Sequence, residues 1–94
     1  MNLHLVLTFE WFDLVESGVK RVEYRAMMNK AGNEPSVWAK RLWKKRDQIE
    51  TVTFARGYTS TTLKFRVVKI DVGPCPYPGW PGNYYRVYFE DLSC

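Results

Sequence analysis

Five stretches of this 94-residue sequence carry the period-two alternation of a β-strand, and two more carry helical spacing. Kept flat, a five-stranded sheet in so short a chain leaves long unpaired edges. The pattern therefore predicts an α+β, mainly β fold: a small, partly open five-stranded β-barrel with two flanking helices. A chain of this length forms one domain over residues 1–94, and its 46% apolar and 16% aromatic content suffices for a core without metal or disulfide support.

Leu3 to Phe9 reads as the first strand, with Leu3, Leu5 and Leu7 on one face and His4, Val6 and Thr8 on the other. Glu10 to Ser17 has helical spacing, starting near Thr8 or Phe9 and stopping at Gly18. Val19 to Arg25 alternates again, placing Arg21, Glu23 and Arg25 together and Val22 and Tyr24 opposite. Lys20 has the wrong parity to join Glu23 and Arg25. It reaches them only from the turn leaving the helix or across a bulge.

Met27 to Glu34 reads as a loop. Asn33 or Ser36 can then cap a helix with Pro35 in its first turn, running to about Asp47 with Trp38 and Leu42 facing inward and Trp43 shared between faces. Thr51–Tyr58 and Thr62–Val72 form a hairpin, the second strand carrying an irregularity near Val68. Its hydroxyl-rich connection, residues 57–61, suits a turn first and phosphate contacts second. Gly73 to Asn83 holds four prolines and three glycines, so it crosses the surface as a loop and carries Tyr77 and Trp80 with it. Such rings close one end of a core or offer a stacking surface for bases. In the last strand, Tyr84 to Phe89, either alternating set can face inward.

Fourteen Lys and Arg against ten Asp and Glu give a net charge of +4, which favours anionic partners. The excess is local. Lys40, Arg41, Lys44, Lys45 and Arg46 crowd into seven positions of the second helix, as a solvated face or a phosphate-contacting surface. Cys75 and Cys94 are expected as free thiols of a cytoplasmic protein, since no signal segment opens the sequence and no apolar run is long enough to cross a bilayer. The single histidine, His4, and the cysteine spacing match no metal site, so neither metal nor cofactor is expected, and a monomer is.

Gly18-Val19-Lys20-Arg21-Val22-Glu23-Tyr24-Arg25 concentrates charge in a stretch otherwise suited to a strand. Arg25 offers a fixed fork of donors, Glu23 an acceptor and Lys20 a compact cation. The helix carrying Trp11, followed by Gly-x-Lys-x-x-Glu-x-Arg at Gly18, Lys20, Glu23 and Arg25, resembles the ASCH domain of the PUA-like superfamily. The resemblance covers the N-terminal third of the chain. It implies a β-barrel with flanking helices and a cleft beside the barrel, lined by the motif's charged residues and proposed to bind RNA or a nucleotide. Some similar small members are amidohydrolases acting on acetylated cytidine through a lysine and a threonine of this motif and a distant glutamate, and others are ribonucleases. Here Glu23 stands at the threonine position, and a carboxylate is a poor nucleophile toward amides.

The leading expectation is an RNA- or nucleotide-binding module using Lys20, Glu23 and Arg25, with Lys40, Arg41, Lys44 and Lys45 on backbone phosphates and Tyr77 and Trp80 as stacking rings. A second is a metal-independent hydrolase of a modified nucleoside or of RNA, with Lys20 and Glu23 as its proton-transfer pair and Glu50 or Glu90 as a distant acid. A third is a protein-interaction barrel whose charged cluster is only a salt bridge.

Overall fold

The computed structural model describes residues 1–27 and 36–92. Five strands, β1 (Asn2–Leu7), β2 (Val22–Ala26), β3 (Thr51–Arg56), β4 (Thr62–Pro74) and β5 (Asn83–Glu90), form one sheet in the order β1-β3-β4-β5-β2. The β1–β3 pair is parallel and the others antiparallel. The sheet curls into a half-barrel with two helices, α1 (Phe9–Glu16) and α2 (Val37–Lys44). This is the α+β, mainly β architecture that the alternation predicts.

Curling brings the two edge strands toward each other. Residue pairs across antiparallel strands share a face, so Glu23 points with its partner Val87, and Arg25 with Tyr85, into the hollow of the barrel. From there the Arg25 guanidinium spans the gap and donates to the Val6 carbonyl at 3.0 Å. A side chain thus bridges β2 to β1, two strands that share no ladder.

Leu5, Leu7, Phe12, Val15, Val52, Phe54, Phe65 and Phe89 form one part of the core, against α1; Ala39, Leu42, Ile49 and Tyr85 form the other, against α2. Leu3 and Val67 pack against both. Of the two sets in β5, Tyr85, Val87 and Phe89 are the buried one. The irregularity in β4 falls between Val67 and Lys69, leaving Val68 outside the register and returning Ile70 to the inner face opposite Val87.

Several boundaries differ from the sequence pattern. β4 and β5 continue to Pro74 and Asn83, so the proline-rich crossing is shorter than the composition implies. Thr8 caps α1 and Ser36 caps α2, whose Ala39 amide bonds the Ser36 hydroxyl at 3.0 Å. α2 stops at Lys44 and passes through a 3-10 turn, Arg46–Gln48, rather than running on to Asp47. Its buried residues are Ala39 and Leu42, whereas Trp38 remains 38% exposed. Ala39 takes the inward position beside Leu42, which leaves the neighbouring indole at the rim. Trp43 stacks on Tyr85 at 5.5 Å and is covered by the Arg46 guanidinium. Asn33, Pro35, most of the Met27–Glu34 loop and Cys94 lie outside the described residues; Cys75 is buried.

A candidate functional site between the edge strands

Lys20 escapes the parity problem because β2 begins only at Val22. After Gly18, at φ +85°, the amides of Val19 and Lys20 both donate to the Leu14 carbonyl at 3.1 Å, holding Lys20 in the turn. Its side chain then enters the cleft from the α1 side. Arg21 lies on the Glu23 face as expected, over the inward Phe65 ring, but it lines none of the cleft and pairs with Asp91 at 3.5 Å.

Lys20 and Glu23 are 4% and 5% exposed, and the Lys20 ammonium donates to Glu23 Oε1. The other carboxylate oxygen pairs with Arg25 Nη2 at 2.9 Å. Arg25 Nε is buried and has no hydrogen-bond partner among the described residues. Two cations therefore converge on one carboxylate, and the cluster carries a net charge of +1. Lysine and glutamate are almost never fully buried unless paired, and such pairs add little stability over apolar packing.

Rings close over this cluster. The Lys20 ammonium sits 4.5 Å from the Trp11 ring centroid, a cation–π contact. Trp11 packs on Tyr77 at 5.1 Å and on Trp80 at 6.1 Å, Tyr24 meets Tyr77 at 5.7 Å, and Trp80 meets Tyr84 at 5.4 Å. Five rings from α1, β2, the proline-rich crossing and β5 thus make one wall. The cleft they enclose with Lys20, Glu23 and Arg25 has a volume of about 290 Å³, and Val6, Leu7, Thr8 and Ala26 complete it. Burial pushes the Tyr77 phenol above its ordinary pKa, and Cys75 and Glu23 beside it act in the same direction. Tyr24 is raised too, first by burial and then by Cys75 and the neighbouring phenols.

Of the residues singled out in the sequence, the fold brings together Lys20, Glu23, Arg25, Tyr77 and Trp80. Lys40, Arg41 and Lys44 are exposed on α2, as is Lys45 just past its end, and none of the four lines this cleft. Neither Glu50 nor Glu90 reaches it; both are exposed, and Glu90 pairs with Arg66 at 3.5 Å. Among the described residues Glu23 is the cleft's carboxylate. Alternation alone does not find Tyr24, whose ring meets Tyr77 although its backbone position is opposite to Glu23 and Arg25. Thr8 and Tyr84 gave no chemical signal beyond lying beside an element end.

No family model matches this chain, and neither a curated protein nor a solved structure matches it. Among the described residues no group of three His, Cys, Asp or Glu is placed to hold a metal ion, and no helix is long and apolar enough to cross a membrane.

Proposed function

We propose that this chain is an ASCH-type module of the PUA-like class that binds RNA or a nucleotide by taking one base into the cleft between β1 and β2. The observation that carries the reading is the buried Lys20–Glu23–Arg25 cluster under a wall of five aromatic rings. Small-molecule sites span about 300–1,000 Å³, so a cleft of about 290 Å³ admits one planar group and no duplex. Trp11, Tyr77 and Trp80 supply faces for stacking, and Lys20 and Arg25 supply donors for a carbonyl edge or a phosphate. Because each oxygen of Glu23 already accepts from a cation, its first task is to hold those donors in place, leaving remaining lone pairs for an exocyclic amine.

Titration of nucleosides, nucleotides and short RNAs at two salt concentrations, followed by tryptophan fluorescence, tests this. Saturable quenching that Lys20→Ala or Trp80→Ala weakens about tenfold or more supports it. Absence of any saturation up to about 1 mM, the level of a −4 kcal/mol interaction, refutes it.

The direct Lys20–Glu23 contact also favours a second reading, a hydrolase of acetylated cytidine or RNA in which the pair transfers a proton. Glu50 and Glu90, too remote for the distant acid, weigh against it. Turnover unchanged by Lys20→Ala would remove that chemistry.

A further inference from the structure

The cleft is not an isolated hole. A wider groove of about 730 Å³ runs along β1 and shares Val6, Leu7, Thr8, Arg25 and Ala26 with it, so the two hollows form one depression with Arg25 as a common wall. At one end of the groove stand Phe9, 50% exposed, and Tyr58, 98% exposed at the β3–β4 turn. At the other end stands Trp38 on α2, and the same indole lines a third hollow with Arg41 and Lys45. None of Lys40, Arg41, Lys44 and Lys45 has an ion-pair partner among the described residues.

We propose that the occupant is single-stranded RNA rather than a free nucleoside, running from Tyr58 along β1 to Trp38 and the basic face of α2 while one base enters the cleft. The proposal rests on the base-binding reading above. Exposed rings at both ends and unpaired cations beyond one of them are the two components of a sequence-tolerant single-strand track, stacking platforms and phosphate contacts. Tyr58 makes the point most simply, because a ring 98% exposed contributes nothing to the fold. His4 to Thr8 covers about 13 Å at ~3.3 Å per residue, room for a short oligonucleotide rather than for one nucleotide. A peptide strand added to the β1 edge fits less well, since Arg25 already occupies the Val6 carbonyl that such a strand would need.

The test is fluorescence anisotropy on the full chain with labelled RNAs of one, two, four and six nucleotides, with a glutamate hexapeptide as a competitor of similar charge. Affinity is expected to rise about five-fold or more with each stacked nucleotide up to about four, then level off. Tyr58→Ala and Trp38→Ala should each lower tetranucleotide affinity about five-fold or more and leave mononucleotide affinity unchanged, whereas Lys20→Ala should lower both. Mononucleotide binding with no gain in length, or a gain insensitive to Tyr58→Ala and Trp38→Ala, overturns the track while the cleft reading stands. Equal competition by the peptide overturns it too. Failure of every RNA, the mononucleotide included, overturns both.

Discussion

Replacing Glu23 by Gln removes one carboxylate and unpairs two cations, but the two are not equally placed. Lys20 is 4% exposed and has lost its anion, whereas the Arg25 side chain is 28% exposed and keeps its bond to the Val6 carbonyl. Removing one partner of a buried pair costs about 3–5 kcal/mol, nearly all of it here from Lys20. Lys20→Met leaves Glu23 paired with Arg25 at 2.9 Å and keeps an apolar stem against Trp11, so it should cost about 1.5–3 kcal/mol, the scale of one hydrogen bond to a charged group. The double variant removes both buried charges and should return to about the cost of Lys20→Met alone, so the coupling equals the Glu23→Gln cost, about 3–5 kcal/mol. Urea denaturation of the four proteins measures the cycle. At about 5 °C per kcal/mol for a domain of this size, Glu23→Gln should also melt about 15 °C or more below the parent. Equal losses from the two single variants, or additive losses in the double, would refute the dependence of Lys20 on Glu23.

Gly57→Ala should cost about 1–3 kcal/mol in urea melts, because φ is +57° and an added Cβ would lie 2.6 Å from the Phe9 ring. Phe9→Ala in that background should recover the part due to the clash. Tyr77 holds its proton more tightly in the fold than its ordinary value of about 10, so its contribution to stability is intact below that pH and lost as pH rises through the higher folded value. Phenolate absorbance should show Tyr77→Phe removing a late-ionising group. Asp71 is held below the usual carboxylate range by the Arg86 guanidinium, which it accepts at 2.7 and 2.9 Å. The stability it confers is therefore present above about pH 4 and lost as pH falls through the lower folded value, and acid titrations of the parent and Asp71→Asn should converge at low pH.

Where a residue's surroundings are set by neighbours along the chain, the sequence was legible. Leu5 and Leu7, the Thr8 cap, Gly18 and the Val68 irregularity all follow from local alternation or capping chemistry. The cluster was legible only conditionally, because parity placed Glu23 and Arg25 together and excluded Lys20 unless a turn held it. Two amides on one carbonyl supply that turn. Trp38 proves exposed because helical spacing counts apolar residues and does not register that Ala39, beside it, takes the inward position. That β1 and β2 face each other across the open side depends on the curl of the whole sheet. So does the separation of α2 from the cleft, and no window of sequence contains either fact.

Among the described residues, the seam between β1 and β2 is fastened by one guanidinium, in contact with a carbonyl on one side and a carboxylate on the other. A row of amide bonds would have to be unzipped for anything to pass, but a single long side chain needs only to rotate. Entry of a molecule that draws Arg25 to itself would loosen the barrel's fastening in the same movement, so occupancy and the spacing of the two edges are mechanically linked through one residue.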